Sequence, residues 1–219
     1  MPAVRETFDK NMAENHGYLM DMFKKVHAAY TVMFTMLEDN DKETAKTLID
    51  NDRTINALET RINEHAFLTI LKQCPVAKDL RTLMTSIKVA NDLERLADYV
   101  VNVGVYLLKT EDDNEIYRNL LHKYQGPLLA MFEKISEAYD NTDVELAFRV
   151  CEMDSAVDAI YQEQIERFIA VTREKTDVVA AEAGRALLVI KQLERAGDHI
   201  TNIAEHLIFL QTGKQLKLN

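Results

Sequence analysis

The stretch Leu193–Asn202 reads LERAGDHITN and sets Glu194, Asp198 and Asn202 at four-residue steps. In an α-helix such steps stack side chains on one face, about a turn apart. Upstream, Leu93–Asn102 reads LERLADYVVN and sets Glu94, Asp98 and Asn102 in the same register. Glu194 and Glu94 are 100 positions apart. Two acids on one stripe repel each other, and here the arrangement occurs twice. The repeat points to a duplicated helical unit, and the acids need a partner.

Working outward from the two stretches, the chain divides into helical runs with polar breaks. The first run covers about residues 8–38, with apolar residues at helical spacing. The break at 38–43 offers Asn40 or Asp41 as the cap of a second helix, about 43–73. Pro75 ends that run, because the residue before a proline avoids the α region. The third helix, about 76–109, carries the first acid stripe. After a polar break at 110–115 the pattern restarts. A fourth helix spans about 115–140, where Gly126-Pro127 predicts a kink or a short break. Thr142, three residues before Glu145, reads as a capping box opening a fifth helix that extends to about Glu174. Thr176 or Asp177 caps a sixth, which carries the second stripe to about Gln211, with Gly213 past its end.

The expected fold is therefore all-α: two tandem three-helix bundles, six long antiparallel helices related by an internal repeat. The division falls at residues 1–110 and 111–219. Asp52 in the second helix matches Asp154 in the fifth at an offset of 102. A single six-helix bundle without true symmetry is the alternative.

Composition agrees with long helices. The 219 residues include 3 prolines, 6 glycines and no tryptophan, so turn-formers are scarce. At 47% hydrophobic and 28% charged the chain is globular rather than disordered. A net charge of −10 argues against nucleic acid, which needs a basic surface. Cys74 and Cys151 have neither CxxC nor zinc spacing and read as free thiols in a reducing compartment. No apolar leader opens the chain and no run is long enough to cross a bilayer, so the expectation is a cytoplasmic protein without membrane insertion.

Each acid stripe borders an apolar seam: Leu93, Leu96, Val100, Val103 and Leu107 in the third helix, and Leu193, Ala196, Ile200, Ile203 and Leu207 in the sixth. Carboxylates at a packed edge must be paired, protonated or bound to a cation. Oxygen-rich stripes suit a hard cation such as magnesium, calcium, manganese or iron. Asp52, Asp154 and Asp158 on facing helices could add acids. The bland alternative is a salt-bridge network in which Arg95 and Arg195 neutralise the acids, and the residues alone leave the two readings open. His199 reads either as a further ligand or as a partnered structural histidine, the commoner case. A ferritin-like di-iron site fails, because no histidine has a glutamate three positions before it. No phosphate-binding glycine loop, nucleophile elbow or nucleophile beside an obvious base is present.

At Ser86–Gly104 (SIKVANDLERLADYVVNVG) and Leu187–Lys214 (LLVIKQLERAGDHITNIAEHLIFLQTGK) the chain resembles the paired signatures of the PhoU family of phosphate-uptake regulators. Cys74–Leu83 (CPVAKDLRTL) is similar to the family's lead-in to its first signature helix. The resemblance covers nearly the whole chain and is weakest in the first and fourth helices. It implies two three-helix bundles forming a non-enzymatic, cytoplasmic regulator that restrains a phosphate ABC transporter and helps a sensor histidine kinase hold its response regulator inactive when phosphate is plentiful. It implies the transporter's ATPase subunit and that kinase as partners, and homodimers are expected because C2 dimers are the commonest oligomers. It also implies metal ions at carboxylate clusters (iron, manganese, zinc or magnesium). Carried over by position, the metal residues are Glu94, Asp98, Glu194 and Asp198, with Asn102 and Asn202 completing each stripe and Asp52 and Asp154 facing them. Tyr99 stands where the family has histidine, and Gly104-Val105 where it has the alanine and glutamate found at Ala204-Glu205. The second copy is thus the fuller match. A metal-free helical interaction protein, and more remotely a metallohydrolase, are the competing functions.

Overall fold

The computed structural model describes the backbone of residues 2–110, 115–172 and 177–217, and the side chains of 5–110, 122–170, 184 and 186–217. Six helices follow one another: α1 (Pro2–Asp39), α2 (Lys42–Gln73), α3 (Ala77–Lys109), α4 (Glu115–Asn141), α5 (Val144–Thr172) and α6 (Asp177–Thr212). There is no strand among the described residues. At 27 to 38 residues, the helices are about 40–57 Å long.

Local chemistry sets the corners. Asp41 caps α2: its Oδ1 accepts from the Glu43 and Thr44 amides, both at 3.0 Å. At the far end Cys74 takes a left-handed conformation (φ 45°) and its N–H returns to the Ile70 carbonyl, just before Pro75. The α4–α5 corner repeats the first corner with Asp143, whose Oδ1 accepts from the Leu146 amide at 2.9 Å. The capping-box reading of Thr142 is corrected here. Thr142 itself sits at φ 58°, outside the helix, so its hydroxyl does not take the cap position. Gly213 closes α6 at φ 72°, with its N–H on the Phe209 carbonyl. The expected cap at Thr176 or Asp177 lies outside the described side chains. The expected break at Gly126-Pro127 does not occur, since α4 runs through Pro127. A proline removes one helical hydrogen bond, and burial of Tyr124, Leu128 and Met131 around it holds the helix together.

Helices α1, α2 and α3 pack on one another, as do α4, α5 and α6. The two bundles meet through α3 against α6 and α1 against α4, leaving α2 and α5 on the outside. Helices α3 and α6 run antiparallel: Arg81 reaches the Leu210 carbonyl, Asp92 reaches His206, and Tyr99 stacks near His199. The internal repeat is thereby arranged about a local twofold between the halves. The predicted seams are the core of this joint. Leu93, Leu96, Val103, Leu193, Ala196, Ile200, Ile203 and Leu207 are all fully buried. One apolar cluster runs through both halves. Within it the buried Tyr30 hydroxyl donates to the Leu96 carbonyl at 3.1 Å.

Candidate functional site

The four-residue steps put Glu94 and Asp98 on the flank of α3 that faces α2, and Glu194 and Asp198 on the flank of α6 that faces α5. In the first half, Asp52 of α2 lies within electrostatic reach of both Asp98 and Glu94, and Glu59 acts on Glu94 as well. Burial raises the pKa of Asp52, and the neighbouring Asp98 charge adds to it. Burial likewise raises Glu94, with Asp98, Glu59 and Asp52 reinforcing the shift and Arg95 opposing it. Arg95 spans the stripe, at 3.6 Å from Glu94 Oε2 and 3.3 Å from Asp98 Oδ2.

In the second half Asp154 is the deepest acid, only 4% exposed. One oxygen accepts from Thr201 at 3.2 Å. Burial pushes its pKa up to about 6, with the charges of Asp158, Asp198 and Glu194 adding to the effect. Gly197 makes this depth possible, since a methyl there would collide with Asp154 Oδ1. Glu194 is paired with the Lys191 ammonium at 2.5 Å, and that hydrogen bond raises the lysine's pKa.

The structure thus brings together six of the eight residues singled out by the sequence: Glu94, Asp98 and Asp52, and Glu194, Asp198 and Asp154. Asn102 is exposed and Asn202 half-buried, one turn further along. Neither is hydrogen-bonded to the acids among the described residues. His199 is not on the stripe at all. Its Nδ1 meets Asp92 Oδ1 at 2.8 Å, and His206 Nε2 meets Asp92 Oδ2 at 3.2 Å, so both histidines serve the α3–α6 joint. Arg195 also departs from its expected role: its guanidinium lies 5.7 Å from the centre of the Tyr99 ring.

Sequence reasoning missed Asn56, Glu59 and Asn63. With Asp52 they form a polar stripe on α2 at steps of four, three and four, in which Asn56 donates to Asp52 at 2.7 Å and Asn63 donates to Glu59. That spacing was visible in the sequence, but without a known facing helix it read as an ordinary solvated face. Asp92 was missed for the same reason, because its partners lie over 100 residues away.

The donors suit a hard cation in kind: carboxylate and amide oxygens, crowded and partly desolvated. Asp52 Oδ1, Asn56 Oδ1 and Asp154 Oδ1 are buried without a hydrogen-bond partner among the described residues. Among those residues, however, no three His, Cys, Asp or Glu side chains stand close enough to hold a metal ion as they are placed. A groove of about 470 Å³ between α1, α2 and α3 opens beside Asp52, lined by Ala29, Leu48, Ile55, Ala97 and Val100.

Comparison with known proteins gives one consistent answer. The PhoU domain matches twice, at residues 19–107 and 123–207. The chain is 30% identical to a phosphate-specific transport system accessory protein PhoU homolog of Clostridium acetobutylicum, over 99% of each chain. It is 30% identical to the protein of the same name from Zymomonas mobilis, over 96% of this chain and 89% of that one. Crystal structures of PhoU from Pseudomonas aeruginosa and of the phosphate transport system regulatory protein PhoU from Streptococcus pneumoniae superpose with TM-scores of 0.90 and 0.87. They cover 94% and 96% of this chain at 24% identity, and share its fold.

Proposed function

The chain belongs to the PhoU family, and on that premise we propose that it is a cytoplasmic negative regulator of phosphate uptake and phosphate-starvation signalling. Its curated relatives are accessory proteins of phosphate-specific transport systems, matched along almost their whole length. The role is regulatory rather than catalytic. It acts as an adaptor between the ATPase subunit of a phosphate ABC transporter and a sensor histidine kinase, and it works as a homodimer. The observation that carries this reading is the double family match, with an acid stripe at the corresponding place in each half.

The adaptor binds metal. Glu94, Asp98 and Asp52, with Glu59 beside them, would hold a cation in the first half. Glu194, Asp198 and Asp154, with Asp158, would hold one in the second. The support is the crowding of like charges and the unpartnered oxygens. A bound cation supplies positive charge that relieves the repulsion and ties each outer helix to the joint helix. Each group of carboxylates must draw together to receive it. The second reading, a metal-free interaction protein, rests on a specific observation too. Arg95 and Lys191 already sit on three of the four stripe acids.

Two measurements test the proposal. In a bacterium lacking its own copy, expression of this chain should silence a phosphate-starvation reporter at high phosphate. A reporter that stays on despite soluble, folded protein overturns the regulatory role. Metal analysis of the purified chain and of a Glu194→Ala/Asp198→Ala variant should show a cation that the variant loses. Equal metal content in the two, or none after anaerobic iron and manganese loading, hands the acids back to the salt-bridge reading.

A further inference from the structure

The α2–α3 hairpin ends in a surface that neither the acid stripes nor the core uses. Phe67, Leu68 and Leu71 on the last turns of α2 are 48–59% exposed, and Val76 in the connection is 74% exposed. Leu80 and Met84 on α3 continue the face, at 36% and 47%. Leu80 and Met84 are spaced by four, so they share one side of α3, and Val76 precedes them in the connection. Six of the ten large apolar side chains exposed among the described residues therefore belong to one end of one hairpin. Contiguous exposed apolar groups of this kind mark a contact surface.

The charges around the face identify its partner. Residues 64–88 and 210–217 carry Lys72, Lys78, Arg81, Lys88, Lys214 and Lys217 against Glu64 and Asp79. The start of α1, whose Arg5 and Phe8 border Gln73–Val76 and whose Glu14 reaches His65, adds Arg5 and Lys10 against Glu6, Asp9 and Glu14. The two segments are neighbours, because Arg81 donates to the Leu210 carbonyl and lies against Gly213. Eight cations to five acids is still a reversal of sign in a chain of net charge −10. Lysine is depleted from the cores of protein–protein interfaces. It is enriched with apolar side chains where a protein rests on an anionic lipid surface, since its stem can lie on the acyl boundary with the ammonium among the headgroups. We infer that the end of the α2–α3 hairpin, with the lysines that follow α6, is a docking face for an anionic membrane surface. The contact is peripheral: no described helix is long and apolar enough to cross a bilayer. It owes nothing to metal binding, and it would hold the regulator at the plane where a transporter works.

The test is flotation of the full chain with phosphatidylcholine vesicles, with and without about a third phosphatidylglycerol, across a salt series. Binding should occur only with the anionic lipid and weaken as salt rises. Replacing Leu71 and Val76 together by serine should lower the partition coefficient at least tenfold. Lys72→Gln and Lys78→Gln should each lower it about fivefold. These side chains are exposed, so an unchanged thermal melt should accompany each loss. An environment-sensitive dye on Cys74, the exposed thiol of the tip, should shift to the blue on the same vesicles. Three results would overturn the inference: no partition at low salt, partition unaffected by the substitutions, or sedimentation showing that Leu71→Ser/Val76→Ser splits a dimer while vesicles are ignored. The last would assign the face to a second copy of the chain.

Discussion

Asp52 and Asp154 occupy corresponding places in the two halves, yet they live in different surroundings. Opposite Asp154 stands Gly197, and the carboxylate sinks into the notch, where Thr201 takes one oxygen. In the first half Ala97 stands in the place of Gly197 and Val101 in the place of Thr201, both lining a groove with Asp52. Asp52 stays half-buried and is held by its own helix neighbour Asn56. The joint between the halves is uneven in the same way. Asp92 clamps His199 and His206 on one side of the local twofold. The corresponding trio on the other side is Gln192, Tyr99 and Tyr106, and Gln192 Oε1 is buried without a hydrogen-bond partner among the described residues. Duplication preserves register, but single methyl groups and single ring nitrogens decide what each copy can do.

The largest effect should come from breaking the uneven joint. Asp92→Ala leaves two half-buried histidines without their acceptor and should cost about 3 kcal/mol. Gln192→Ala, its counterpart, should cost under about 1 kcal/mol, because its buried oxygen has no partner to lose. Urea unfolding of the two variants gives the comparison directly, and equal losses would refute the clamp. The pH dependence has a definite sign. Burial works to raise Asp92, but hydrogen bonds from His199 and His206 outweigh it and hold its pKa below the usual range. Its contribution is therefore present above the unfolded-state pKa of about 4 and is lost as pH falls below that. Wild-type stability should drop across this window more steeply than that of Asp92→Ala.

Asp154 acts in the opposite direction. Its pKa of about 6 is raised above the unfolded value, so the folded protein holds the extra proton. Stability should fall as pH rises from about 4 to 6, and the penalty should remain at pH 7. Asp154→Asn should relieve about 1–2 kcal/mol of it at pH 7, part of the full effect being screened at the open side of the cluster. Asp52→Asn, at the half-buried counterpart, should change stability less. A flat profile between pH 4 and 6 in the wild type would show that Asp154 is not protonated there.

A subtler exchange sharpens the comparison. Gly197→Ala gives the second half the methyl of the first and should force the Asp154 carboxylate outward. Its pKa, followed by the carboxyl carbon resonance, should drop from about 6. If it stays, the notch is not what buries the acid. A modest effect is expected of Tyr30→Phe, which removes one hydrogen bond to the Leu96 carbonyl and should cost about 1 kcal/mol in thermal unfolding.

Much of this was legible in the sequence, because the signals are local. A helix writes its period into the spacing of Leu93, Leu96, Val100 and Val103, and a duplicated helix writes it again 100 residues later. The acids' place at the seam's edge followed from the same arithmetic, as did the end of α2 before Pro75. Glu94 with Asp98, and Glu194 with Asp198, share a flank because four-residue steps fix a face whatever packs against it. Sequence could not say which way Arg95 and Arg195 turn, although both follow a stripe glutamate. Arg95 bridges its own acids, while Arg195 lies over a ring contributed by the other half. Nor could it place His199 on Asp92, or reveal that Phe67, Leu71 and Val76 face outward although their residue types belong inside. Period and propensity act within one helix. Burial, pKa and partner choice depend on atoms brought near from distant parts of the chain, and only the packed bundle decides those.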